Sequence, residues 1–187
     1  MSLPAGAALA QCKSLMKPVY IILFLFCCLS GAGAAQQPTS TCNCTLPAYT
    51  LSDPDSTAGL FLSKEGYQIG NLSFPYDELN EESYFFFTVQ GADDEWLRIQ
   101  ADFSSGSIWI EPYRLATTTR YTGYTLYDSP YLNRKIITES DTSDIAMILS
   151  CCGEWAYVEI VRYDGSEGQR GWLAPQDQCA NPLTTCP

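Results

Sequence analysis

The stretch from Gly153 to Cys186, GEWAYVEIVRYDGSEGQRGWLAPQDQCANPLTTC, constrains the fold more than any other part of the chain. Its first segment alternates, with Trp155, Tyr157 and Glu159 on one side and Ala156, Val158 and Ile160 on the other. That period of two belongs to a half-buried β-strand. Asp164-Gly165-Ser166-Glu167-Gly168 then supplies residues that tolerate a tight turn, Gly171-Trp172-Leu173 resumes an apolar strand, and Pro175 ends it. A hairpin followed by a proline-led turn and a cysteine-bearing tail is therefore expected.

The pattern of a Trp-led strand, a hairpin, G-W-L, x-P and a short return strand resembles the second half of a bacterial SH3-like domain, over roughly residues 124–187. The resemblance implies a small five-stranded barrel that serves as a binding module.

An internal repeat extends this reading toward the N-terminus. Phe85-Phe86-Phe87 leads to Glu95-Trp96 as Ile145-Ala146-Met147-Ile148 leads to Glu154-Trp155, and Trp109-Ile110-Glu111-Pro112 follows as Trp172-Leu173-Ala174-Pro175 does. The two Glu-Trp pairs lie 59 positions apart and the two Trp-apolar-x-Pro segments 63 apart. The first copy departs from the pattern: Ile108 stands where Gly171 does, and that copy has no cysteine. The expected fold is all-β, two tandem SH3-like small β-barrels, a divergent one over 46–118 and a disulfide-bearing one over 121–187. Each is about 65–75 residues, a size at which burial alone stabilises weakly, so disulfides and packing of one copy on the other are expected to contribute.

Residues 1–35 read as a targeting segment. From Met16, which fits the start of a signal, Lys17 precedes an 11-residue apolar run from Val19 to Leu29, and Ala32-Gly33-Ala34 fits a cleavage site. The run is short for a bilayer span, which favours a cleaved signal peptide over an anchor. Residues 36–58, rich in Pro, Ser and Thr, read as a leader into the first barrel. Asn43-Cys44-Thr45 and Asn71-Leu72-Ser73 match the glycosylation acceptor pattern.

The whole chain carries a net charge of −11, and loss of the signal with its two lysines makes it more negative still. Such a surface repels phosphate backbones and anionic lipids, so neither nucleic acid nor, after signal cleavage, a membrane is an expected partner. Beyond the signal remain Cys42, Cys44, Cys151, Cys152, Cys179 and Cys186, an even set that implies up to three disulfides in a secreted or periplasmic protein. Cys42 with Cys44, or Cys151 with Cys152, would form a strained short loop. The expected links therefore tie the tail cysteines Cys179 and Cys186 to the Cys151-Cys152 strand end and to the N-terminal pair. A zinc site is the rival reading, disfavoured because C-x-C and C-C are not the usual knuckle spacing and the chain has no histidine. No metal and no cofactor are expected.

The absence of histidine also removes Ser-His and Cys-His nucleophilic pairs. Asp93-Asp94-Glu95 and the acidic run Glu139–Asp144 are carboxylate candidates for glycoside hydrolysis or calcium binding, but both sit where turns are predicted and read as solvated acids. The chain is expected not to be an enzyme.

Aromatic residues are the stronger lead. In SH3-like barrels the Trp that opens the strand after the second loop often lines an exposed groove with loop tyrosines. The resemblance places Trp96 and Trp155 at such grooves, with Tyr127 and Tyr131 on the second barrel's first loop and Tyr113 in the first barrel's proline turn. Stiff apolar rings with polar tips suit that role. Trp109 and Trp172 are expected to alternate into the barrel cores instead. Recognition of cell-wall peptide or a protein segment through aromatic grooves is the expected function. The alternative is a secreted acidic inhibitor or interaction protein for a basic partner such as a cell-wall hydrolase.

Overall fold

Apolar alternation governs the strands throughout. In the computed structural model, which describes residues 42–50, 57–73, 84–94, 96–100, 106–111, 113–164 and 166–181, Ala156, Val158 and Ile160 turn one way into the core, as the period of two requires. The targeting segment, Glu95, Pro112 and Cys186 lie outside the described residues.

Among the described residues thirteen strands make one antiparallel sheet: β1 (Cys42–Thr50), β2 (Thr57–Phe61), β3 (Gln68–Ser73), β4 (Phe86–Asp93), β5 (Trp96–Gln100), β6 (Ile108–Ile110), β7 (Leu115–Thr119), β8 (Tyr124–Tyr127), β9 (Ile136–Ser140), β10 (Ile145–Cys152), β11 (Trp155–Ile160), β12 (Arg170–Leu173) and β13 (Gln178–Cys179). Among the described residues no helix is long and apolar enough to cross a membrane. The hydrogen-bonded order is β3-β2-β6-β5-β4-β1-β7-β10-β11-β12-β8-β9, with β13 on β7. Reading outward from the β1/β7 seam, the second arm repeats the order of the first with six added to every strand.

The correspondence extends to irregularities in register. The β4–β5 ladder slips between Val89 and Gly91, and the β10–β11 ladder slips between Ile148 and Ser150, 59 positions later. Likewise β2–β3 slips between Leu60 and Phe61, and β8–β9 between Leu126 and Tyr127. Such bulges bend a strand and sharpen its twist, so both arms curl at equivalent places.

The seam repeats as well. Thr50 N–H donates to Phe85 O at 2.9 Å while Phe85 N–H donates to Thr50 Oγ1 at 3.0 Å. In the other arm Thr119 N–H donates to Asp144 O at 2.9 Å while Asp144 N–H donates to Thr119 Oγ1 at 2.7 Å. Each buried threonine thus satisfies its own backbone and closes the entry to the neighbouring strand. Tyr49, fully buried, adds a hydroxyl contact to Thr118 Oγ1 across the seam at 2.9 Å.

The core is continuous across the arms. Leu46, Val89, Leu97 and Ile110 belong to the same buried cluster as Leu126, Ile148, Val158 and Leu173. A second, smaller cluster on the opposite side of β11 and β12 contains Leu149, Tyr157 and Trp172, with Tyr127, Cys152 and Trp155 packed against it.

Residues 42–50, where the expected leader runs into the first barrel from 46 on, form the central strand β1, because Cys44, Leu46 and Ala48 alternate inward despite the flanking polar residues. The disulfide links differ from the expected ones. Cys42 joins Cys152 and Cys44 joins Cys151, with Cα separations of 5.0 and 5.9 Å, so neither pair is open to a tail cysteine. The reason is that the start of β1 runs beside the β10–β11 turn, where Cys44 and Gly153 form a parallel bridge and Thr45 N–H donates to Gly153 O at 3.1 Å. Cys179 is disulfide-bonded too.

Gly171 explains where the arms differ. A Cβ there would lie 2.9 Å from Leu126 Cβ and 3.2 Å from Tyr127 O, and 3.3 Å from Ile137 Cδ1. Ile137 thus packs over Gly171 in the second arm, whereas the first arm has the buried Ile108 at the matching position. Gly171→Val is therefore expected to overpack the β8–β12 contact and destabilise the chain by about 1–3 kcal/mol, measured by urea unfolding.

A second expectation concerns alkaline pH. Tyr124 is buried and donates its hydroxyl to Asp144 Oδ2 at 3.0 Å. Burial first, and the Asp144 carboxylate second, push its phenol from 10.0 up to about 12. In the unfolded chain the phenol ionises near its ordinary value, so the stability tied to the neutral form is whole below about pH 10 and is lost as pH rises toward 12. The stability advantage of the wild-type chain over Tyr124→Phe should shrink across that window, followed by urea unfolding at successive pH values.

Candidate aromatic binding site

The β10–β11 hairpin turn sets the position of Trp155. Gly153 takes a left-handed φ of 61° there, and the strand resumes with Trp155 opposite Cys152. Next along the sheet, β12 places Trp172 opposite both Tyr157 and Tyr127. The result is an aromatic slab on the sheet face that carries the smaller cluster. Trp155 and Tyr127 meet edge to face, with centroids 5.8 Å apart at 76°, and Tyr157 and Trp172 pack tilted at 5.3 Å. Edge-to-face contacts place the positive ring edge of one residue on the negative face of the other.

The loop between β8 and β9 folds back over this slab. Asp128 N–H donates to Lys135 O at 3.0 Å and Lys135 N–H donates to Asp128 Oδ1 at 2.7 Å, which pins the base of the loop. Asn133, a residue that tolerates the left-handed region, takes φ 65° and turns the chain so that Arg134 returns over the rings. Its guanidinium carbon lies 4.8 Å from the Tyr127 centroid and 4.9 Å from the Trp155 centroid. Tyr131 Oη is 3.6 Å from Cys152 Sγ. Tyr127, Tyr131 and Trp155 are thus gathered at one place.

The first arm builds a related pair. Asp94, with φ 49°, occupies the turn position that Gly153 has in the second arm, and Trp96 follows opposite Asp93. Trp96 meets Phe61 edge to face at 5.1 Å and 90°. Phe61 stands opposite Trp109 as Tyr127 stands opposite Trp172. Arg98 takes the place of Tyr157; it donates from Nη2 to Asn43 Oδ1 and to Gln90 O, each at 3.0 Å. The long loop again supplies a cation, but Lys64 goes to carboxylates, 2.7 Å from Asp93 Oδ2 and 3.3 Å from Asp94 Oδ2. Its hydrogen bond to Asp93 holds the Lys64 ammonium above the ordinary lysine range. The Cys42–Cys152 disulfide ties β1, where Cys42 pairs with Ala92 of the first hairpin, to the second hairpin, where Cys152 pairs with Trp155.

Tyr113 lies elsewhere. It is exposed with φ 64°, beside Arg170 on β12, and does not join the Phe61–Trp96 pair. Trp172 is buried, yet it belongs to the aromatic slab and not to the main core, where Leu173 points; Trp109 is only half-buried. Phe61, Trp172 and Arg134 are site residues that sequence reasoning missed. The shared register slip one residue before Phe61 and Tyr127 is the structural signal that relates the first of them to its counterpart. A groove of about 560 Å³ lies apart from both aromatic pairs, lined by Pro47, Ala48, Leu72, Phe85, Phe86 and Thr88 among others. Among the described residues no cluster of three or more Asp, Glu or Cys is placed to hold a metal ion.

No protein-family model matches the chain, and no curated protein does. Two solved structures are similar to it, NlpC2 and NlpC1 from Trichomonas vaginalis, each at 14% identity and a TM-score of 0.28. The matches cover 76% and 80% of this chain and 49% and 50% of those chains, so the chain spans about half the length of the structures it matches.

The two kinds of tryptophan should separate by stability. Trp172→Ala empties a buried position and is expected to cost about 3–5 kcal/mol. Trp155→Ala and Trp96→Ala remove half-buried rings and one edge-to-face contact each, and are expected to cost about 1–2 kcal/mol. Chemical denaturation of the three variants measures the difference.

Proposed function

We propose that the chain is a secreted or periplasmic, non-catalytic binding module, built from two SH3-like barrels that share β7, which recognises cell-wall peptide or a protein segment through its aromatic pairs. The observation that carries this reading is recurrence: a half-buried Trp meets an aromatic residue edge to face at the same register in both arms, Phe61 with Trp96 and Tyr127 with Trp155. Both tryptophans stay half-buried, and beside Trp155 the loop residue Tyr131 is exposed, which leaves aromatic surface for a partner. The repeated strand order and repeated bulges support a duplicated barrel plan. The disulfides and the apolar N-terminal run support export.

A second reading, an acidic interaction protein that captures a basic partner, is favoured by the net charge of −11. Pull-down on purified cell wall distinguishes the two. The binding module is expected to be retained, with at least a tenfold loss for Trp155→Ala at unchanged far-ultraviolet circular dichroism. Salt-sensitive capture of a cationic hydrolase with no retention on the wall would support the acidic interaction protein instead.

A further inference from the structure

We propose that Tyr127 and Trp155 form a seat for a basic side chain of a protein or peptide partner, and that Arg134 is the chain's own occupant of that seat, displaced when the partner binds. The inference rests on the binding-module reading of the same site and adds the chemistry of the ligand and the way access is controlled.

A guanidinium already lies over both rings, at 4.8 and 4.9 Å from their centroids, within the range where ring quadrupoles attract a cation. The seat therefore accepts a planar cation sterically and electrostatically. Arg134 is held there lightly. It is exposed, and among the described residues no carboxylate lies within ion-pair distance of it. In the first arm the loop cation Lys64 is tied to two carboxylates, and among the described residues neither it nor any other cation lies over the Phe61–Trp96 pair. Ring occupancy by Arg134 is thus a property of the second site and not a general consequence of the loop.

The loop can release Arg134 without unravelling. Its base is closed by the two Asp128–Lys135 hydrogen bonds, while the tip from Tyr131 to Arg134 is exposed. Beside the seat, Tyr131, whose Oη is 3.6 Å from Cys152 Sγ, and Ile136, which pairs with Tyr127, are 64% and 57% exposed, an apolar border for residues flanking the incoming cation. The net charge of −11 draws a basic segment in and repels nucleic acid and anionic lipid. A basic residue next to an apolar one, in an extended segment, fits these features.

The test uses the full chain and two peptides, Gly-Gly-Arg-Leu-Gly-Gly and the same peptide with citrulline, the neutral isostere, in place of arginine. Binding is followed by tryptophan fluorescence and by amide shifts of Trp155 and its neighbours. Removing the competing cation should tighten arginine-peptide binding about two- to fivefold in Arg134→Ala and in Arg134→Gln, the range expected for loss of one exposed cation–π contact. The citrulline peptide should bind more weakly than the arginine peptide to every form, and Trp155→Ala should abolish the difference. Equal or weaker arginine-peptide binding by both Arg134 variants would overturn the displacement. Equal binding of the two peptides would overturn the cation seat. Self-association of the wild-type chain that Arg134→Gln abolishes would assign the arginine to another copy's rings, against the proposal. If wall or protein capture remains Trp155-dependent while the peptides fail, the binding module stands and this inference falls; if capture ignores Trp155, the module reading itself fails.

Discussion

Strand β7 has only two edges, and three strands use them. Along one edge Leu115 and Ala116 pair with β1, and Thr118 and Thr119 pair with β13; along the other, Ala116 to Thr118 pair with β10. A five-residue strand thus ends one arm and begins the other. The pairing works because consecutive threonines at 117–119 satisfy polar demands in a place closed to water: Thr117 Oγ1 donates to Cys179 O at 3.1 Å, and Thr119 closes on Asp144. An apolar residue at Thr119 would leave Asp144 N–H without its side-chain acceptor in a part-buried setting. Both arms depend on this strand, since removing it strips β1 and β10 of a partner at once.

The disulfides act on the same seam from its far end. Cys42–Cys152 and Cys44–Cys151 span 110 and 107 positions of sequence, and in the chain-entropy picture a loop of that size is worth about 4–5 kcal/mol of constraint on the unfolded state. They also fix β1 at the start while Thr50 fixes it at the end. Between those ties, the inward alternation of Cys44, Leu46 and Ala48 feeds the core common to both arms. The larger buried cluster is common to both arms, which is how segments of marginal size are stabilised together.

The period-two strands and the Trp-to-Trp spacings were readable from the residues alone, because alternation reports burial and the 59-position offset survives through matching bulges. Other features were not. Thr50 and Thr119 sit in unremarkable polar surroundings, and nothing local says that each will clasp a backbone N–H far along the chain. Residues 42–50 contain Pro47 and three threonine or asparagine residues, which read as loop until the disulfides place them between β4 and β7. Trp172 was legible as buried, but which side of β12 it takes depends on partners in β8 and β11. Arg134 carried no motif at all; its position over the rings follows from a left-handed Asn133 and a loop base closed by Asp128.

The Cys42–Cys152 disulfide ties the Trp155 hairpin to β1, the strand hydrogen-bonded beside the Trp96 hairpin, and this has a consequence for multivalency. In beads-on-a-string proteins, a flexible tether sets how often a second site finds the far end of a bound ligand. Here the two aromatic pairs are carried on one hydrogen-bonded sheet braced by the Cys42–Cys152 link, with no flexible tether between them. On the proposed binding reading, a ligand long enough to reach both pairs would have its second contact selected by distance, and one of the wrong repeat would gain nothing from the second pair.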